Sequence, residues 1–330
     1  MSRRPARISR RTLLASSVGA GLAVAGTSGP SHSAAADPVA GVAALIAQSE
    51  AIHGVVIIDP ADSVVYQHNA WAPFVSASLY KLILLAEILR MVEAGDLSLD
   101  YDILIESWNF VEANGEDAFY LPNQIGTTAP LQELIYATGA WSSNVAALAL
   151  LALTTIERLN AFCGEIGMTG THFWAYETEI PEFYPGDNGT EGCEEIARAI
   201  SFVQTFATGS YVNLTTPGDM SWYMRLLRDD ALVSEITSWR LKDILSSRAI
   251  PDRIPALLPP DAIVMHKTGN LTGVLHDVGI VSNGQASSIV VTMAQAVTNL
   301  DFTFAIEQRI GLVGYELLTP ASEPNATPAA

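Results

Sequence analysis

Two short runs near the start of the chain, GVVIID (54–59) and SVVYQHN (63–69), are rich in β-branched residues and are split by Pro60-Ala61-Asp62. That pattern predicts a hairpin. A short helix is expected before it, over Val39 to Ala51. From Ser76 to Ala94 the apolar positions recur at helical spacing and stop at Gly95, a residue suited to a left-handed C-cap. Helical patterns follow at LQELIYATGA (131–140), SNVAALALLALT (143–154), TTIERLNAFCGEIG (154–167) and PGDMSWYMRLLRD (217–229). Between Met168 and Pro217 the chain is rich in aromatic residues, glycine, proline and acid, with one further helical run, EEIARAISFVQTF. Strand character returns in AIVMHKTG (262–269), LHDVGIVS (275–282) and SSIVVTMAQ (287–295), and a last helix is expected over Asp301 to Leu318.

Strands at both ends with helices between them predict an α+β fold. One sheet is assembled from distant segments, an all-helical region at about 96–230 is inserted into it, and a cleft lies between the two parts. A chain of 330 residues, 49% hydrophobic and 16% charged, has ample material for such a core. The Pro/Ala-rich residues 320–330 are expected to be a disordered tail.

The first 36 residues read as an export signal. Ser9-Arg10-Arg11-Thr12-Leu13-Leu14 matches the twin-arginine pattern, an apolar Gly/Ala-rich stretch follows, and Ala34-Ala35-Ala36 is a small-residue cleavage site. The stretch is shorter than a spanning helix requires, so release after cleavage is expected, with no stable membrane insertion. The mature chain, 37 onward, would be secreted or held in the periplasmic or cell-wall space, and a monomer is expected. This segment carries five basic residues and no acidic ones, which leaves 12 Lys and Arg against 35 Asp and Glu, a formal charge of −23. Such a surface excludes nucleic acid and anionic membranes as partners, since both need cationic neutralisation. Cys163 and Cys193 suit either a disulfide in an oxidising compartment or two inert thiols. No metal is expected, because the six histidines show no ligand spacing, and no cofactor is implied.

Three short motifs carry chemistry. Ser78 and Lys81 lie one helical turn apart on one face, where a partly desolvated lysine can act as base toward a serine hydroxyl. Alone, the pair also fits an N-capping serine and a snorkelling lysine. Ser142-Ser143-Asn144 opens an apolar helix, which fits either a cap or a hydroxyl and carboxamide facing a cleft. Lys267-Thr268-Gly269 ends a strand with a cation, a hydroxyl and a residue that permits close approach.

In this order the motifs resemble the signature set of the class A serine β-lactamases and their β-lactamase-like, penicillin-binding relatives. The likeness extends through FVSASLYK, LQELIYATGAWSSNVAALALL, NLTTPGDM and HKTGNLTGVLHDVGIV, from about Val42 to Leu318. The resemblance implies a three-layer α/β/α fold with an antiparallel sheet. It also implies Ser78 as acylated nucleophile, Lys81 as base or relay, Ser142 as proton shuttle to the leaving nitrogen, and Asn144 as a substrate-amide ligand. Lys267 and Thr268, followed by Gly269, would hold the substrate carboxylate, and the N–H groups of Ser78 and Asn270 would form an oxyanion hole. Glu177, in AYETEIPEFYPGD, matches the family's deacylating glutamate, although Pro181 stands where the family has a water-holding asparagine. Ser143 replaces the usual aspartate, about 25 extra residues precede NLTTPGDM, and His276 stands near where many relatives have an arginine. The implied substrate is a β-lactam or a peptidoglycan-like small molecule. A D,D-peptidase or esterase, and a binding protein without turnover, are the alternatives.

Overall fold

The computed structural model describes residues 38–107, 109–110, 117–173, 213–247 and 250–318. Helix α1 (Pro38–Ile46) leads into strands β1 (Ile52–Ile58) and β2 (Val64–His68), the predicted hairpin. A two-residue strand β3 (Phe74–Val75) and a 3₁₀ turn (Ala77–Leu79) precede α2 (Tyr80–Ala94). The small ladder of β4 (Asp102–Leu104) and β5 (Thr128–Pro130), then α3 (Leu131–Ala140), α4 (Asn144–Leu151) and α5 (Ile156–Ile166), make up the helical region. Strands β6 (His172–Phe173) and β7 (Asn213–Thr215) join β3 in a second small sheet. Helices α6 (Pro217–Arg228) and α7 (Glu235–Ser246) bring the chain back to β8 (Ile263–Leu271), β9 (Val274–Ser282), β10 (Ser287–Gln295) and α8 (Leu300–Glu316).

The main sheet runs β2-β1-β10-β9-β8, antiparallel throughout, so the N-terminal hairpin pairs with the C-terminal meander through β1 and β10. Strand alternation separates two apolar faces. Val55, Ile57, Val264, Val281 and Val290 pack with Val42 of α1 and with Ile306, Ile310 and Val313 of α8. Val56, Ile58, Val278, Ile280, Ile289, Val291 and Met293 face the other way, onto the layer that contains α2. This is the expected three-layer arrangement.

Helix α2 is buried all round: Lys81 to Leu89 are without exception inside, packed against α3, α4, α5 and α7. At about 1.5–3 kcal/mol for each large apolar side chain taken out of water, Leu82, Ile83, Leu84, Leu85 and Ile88 fix its position. The charged Glu87 in this run is compensated, receiving Arg90 at 2.7 Å and Arg158 of α5 at 2.8 Å. Gly95 closes the helix at φ 82°, as its C-cap placement predicts.

Helix starts carry their caps in sequence: Thr155, Thr216, Ser234 and Asn299 accept from Arg158, Asp219, Thr237 and Phe302 N–H groups. Helix α7 has no apolar stripe to announce it, because Ile236 and Trp239 point to solvent while Thr237 and Ser238 are buried. Among the described residues no single helix is long and apolar enough to cross a membrane.

Leu85→Ala should lower stability by about 2–5 kcal/mol through the cavity left in α2, whereas Trp239→Ala at the surface should stay within about 0.5 kcal/mol. Urea denaturation midpoints of the two variants and the parent check this contrast.

Candidate active site

Ser78 stands in the 3₁₀ turn before α2, so that the deeply buried helix carries Lys81 below it. The residue ahead of it, Ala77, is held at φ 44°. Left-handed backbone costs a non-glycine residue on the order of 1–3 kcal/mol, so the surrounding contacts must impose it. They do: Ser76 N–H donates to Asn213 O at 2.7 Å, and Leu79 N–H donates back to Ser76 O at 2.9 Å. On the far side Gly269 of β8 presses against this turn. A Cβ there would sit 3.3 Å from Ala77 Cβ, Leu79 Cγ and Ser76 O.

Lys81 Nζ donates to Ser142 O at 2.6 Å and to Asn144 Oδ1 at 2.6 Å, and lies 3.4 Å from Ser142 Oγ. Among the described residues no hydrogen bond joins Lys81 Nζ to Ser78 Oγ. The ammonium therefore faces the second motif rather than the serine on its own helix. An ammonium has donors alone, so Asn144 must turn Oδ1 toward it and its Nδ2 donors away. From the opposite side Lys267 Nζ donates to Ser142 Oγ at 2.8 Å and to Thr268 O at 2.7 Å. Ser142 itself is held at φ 56°, and this conformation swings its hydroxyl between the two lysines.

Both lysines are buried. Burial first, and then the charge of Lys81, hold the Lys267 ammonium well below its ordinary 10.5, with Asp277 acting the other way and Arg253 adding to the depression. A lysine in that condition gives up and takes back a proton readily, and here it is hydrogen-bonded to a serine hydroxyl. The Ser142 hydroxyl thus lies between Lys81 and Lys267, on the elements that meet the Ser78 turn. Among the described residues no group of three or more His, Cys, Asp or Glu side chains converges as a metal site.

Residues 38–317 match the family model described as the beta-lactamase enzyme family. The chain belongs to that family. It is 28% identical to a beta-lactamase from Streptomyces fradiae over 279 residues, 82% of either chain. Its fold matches the solved structure of an ancestral class A beta-lactamase at a TM-score of 0.67, 26% identity, covering 85% of this chain and 99% of that one. A beta-lactamase from Sphaerobacter thermophilus matches at a TM-score of 0.68 and 22% identity, with 84% and 96% covered.

Within this β-lactamase-family chain the three motifs converge, and Ser78, Lys81, Ser142, Asn144, Lys267, Thr268 and Gly269 line one site. Asn270 follows Gly269 at the exposed end of β8. Glu177 lies outside the described residues, as does Cys193. Cys163 is a buried thiol pushed up to about 12, chiefly by burial, which suits inertness rather than nucleophilic work.

His276 does not face the cleft. It is fully buried, with Nε2 2.7 Å from Val75 O and Nδ1 2.7 Å from Leu275 O and 3.2 Å from the Ala294 N–H. Burial lowers it to about 4, so it is a neutral brace for the strand that enters the nucleophile turn. The sequence reading missed Asp117. Its Oδ1 accepts Phe119 N–H (2.9 Å), Tyr120 N–H (3.0 Å) and the Ser143 hydroxyl (2.8 Å), and its Oδ2 accepts the N–H groups of Asn144 (2.8 Å) and Val145 (3.2 Å). The missing aspartate at position 143 was a signal that some other carboxylate had to serve this helix start.

The depressed Lys267 has a pH consequence with a definite sign. Between its lowered native value and 10.5 the unfolded chain binds a proton the native state lacks, so this group makes stability rise with pH across that window. Lys267→Met should therefore gain less stability than the parent from about pH 7 to about pH 9.5. Equal gains in urea midpoints for the two proteins would show that Lys267 is not depressed.

Proposed function

We propose that the protein is an exported class A-like serine β-lactamase that works through an acyl-serine intermediate. The observation that carries this reading is the placement of Ser142 Oγ between Lys267 Nζ at 2.8 Å and Lys81 Nζ at 3.4 Å, beside the Ser78 turn. Ser78 Oγ attacks the lactam carbonyl as its proton passes to Lys81 in its neutral amine form, which must first turn from the Ser142 and Asn144 oxygens toward Ser78. The positive end of the turn and of α2, with the N–H groups of Ser78 and Asn270, opposes the charge that builds on the carbonyl oxygen. As the C–N bond breaks, Ser142 gives its proton to the ring nitrogen and is resupplied from the lysines. Lys267 and Thr268 attract the substrate carboxylate, a local cationic patch on a chain of formal charge −18. A water activated by Glu177 then cleaves the ester and frees Ser78. Residues 1–36 serve export, so the secreted form should have an intact mass that begins near Asp37.

Incubation of the mature protein with a chromogenic cephalosporin, followed by colour and by intact mass, tests the reading. Rapid colour without lasting adduct is expected, both signals should vanish in Ser78→Ala, and Glu177→Gln should accumulate the acyl-enzyme with turnover reduced about 100-fold or more. Slow turnover with a persistent adduct in the parent would favour a D,D-peptidase-like penicillin-binding protein. Absence of both would remove the acyl-serine reading.

A further inference from the structure

We propose that Asp117 is a positioning residue that sets Ser142 and Asn144 for proton transfer, supplying from a separate segment the carboxylate that the second motif lacks. The case begins with the first turn of α4. Four N–H groups at a helix start have no partner within the helix. Here Ser143 N–H donates to Ala137 O at 3.1 Å, Asp117 Oδ2 takes those of Asn144 and Val145, and Ser143 Oγ takes that of Ala146 at 3.0 Å. Ser143 can accept from Ala146 in this way because its own proton goes to Asp117 at 2.8 Å.

The same carboxylate reaches backward to Phe119 and Tyr120 N–H. It therefore ties the 117–120 segment to the second motif. Five donors on one carboxylate outweigh its burial and hold it below its ordinary 3.8, so it is anionic at neutral pH. A negative charge at a helix N-terminus is also favoured by the helix dipole.

Ser142 is the residue that needs this support. At φ 56° it occupies strained backbone, preceded by the Trp141 C-cap of α3 and followed by the α4 cap. Release of Asn144 and Val145 would free the second anchor, and the Ser142 hydroxyl would leave its place between the lysines. Ring packing extends the tie to the mouth of the site, with Phe119 edge-on to Trp141 at 6.0 Å and to Tyr136 at 6.5 Å. The role of Asp117 in activity rests on the acyl-serine reading, whereas its role in holding the turn does not.

Two variants separate these roles: Asp117→Asn, which keeps the shape and removes the charge, and the exchange pair Asp117→Ser with Ser143→Asp, which moves the carboxylate into the motif. Amide hydrogen exchange at Asn144 and Val145 is read beside single-turnover acylation by a fluorescent penicillin. In Asp117→Asn, exchange at these two amides should rise about tenfold against Leu148 as internal reference, and the maximal acylation rate should fall about tenfold or more, for loss of charge-assisted bonds. The exchange pair should recover both to within about threefold. Parent-like exchange and acylation in Asp117→Asn, or a folded exchange pair that recovers neither, overturns the proposal. If neither variant folds, the parent decides: the Asn144 and Val145 amide shifts must titrate together with the Asp117 carboxyl below its ordinary 3.8, and independent titration overturns it. A parent that is never acylated, with the exchange changes as expected, removes the acyl-serine reading and leaves the positioning role standing.

Discussion

The structure depends on keeping two lysine side chains out of water within reach of one hydroxyl. A charge on either loses hydration on burial and disfavours a charge on the other, so the fold must supply oxygen ligands at fixed places. Carbonyls of Ser142 and Thr268 and the Asn144 amide oxygen provide them. Ser142 and Asn144 stand at the start of α4 and Thr268 on β8, and they meet because α2, buried on every side, packs against α4 while the turn before it packs against β8. A looser core would let the lysines separate and hydrate, and the chemistry would relax with them.

Behind the sheet a second polar layer supports the same strand. His266, which faces away from Lys267 along β8, lies 2.7 Å from Asp277 Oδ1, and its Nε2 accepts the Ile250 N–H at 3.0 Å, which leaves Nδ1–H to donate to the carboxylate. Arg253 bonds the His276 carbonyl at 2.7 Å and stands 3.7 Å from the buried Glu307, whose carboxyl is raised well above its ordinary range by burial. The residues on either side of the KTG strand are thus braced by hydrogen bonds rather than by packing alone.

Much of this was legible in the chain itself, for physical reasons that differ by element. Strands β1, β8, β9 and β10 are long and β-branched, and α2 ends at a glycine, so periodicity and capping place them well. The first two motifs were readable because each pairs a reactive side chain with a turn or helix start, and the third because its lysine falls in a strongly β-patterned run, in a strand that continues to Leu271. Helix α7 was not, since tertiary packing buries its Thr237 and Ser238 and leaves Ile236 and Trp239 outside. The two-residue strands β3 and β6 carry no period of their own and exist because β7 pairs with both. Asp117 lay 26 or more positions from its partners in the second motif, and His276, near where many relatives have an arginine, is buried and braces Val75. Contacts between distant segments leave no local trace.

Strand β8 is the last in the main sheet, and Lys267, Thr268 and Gly269 lie near its end. An edge strand offers a row of main-chain donors and acceptors that the sheet itself does not consume. Here the Ala77–Leu79 turn and α7 both pack against that strand, so part of the edge is covered by the very segment that carries Ser78.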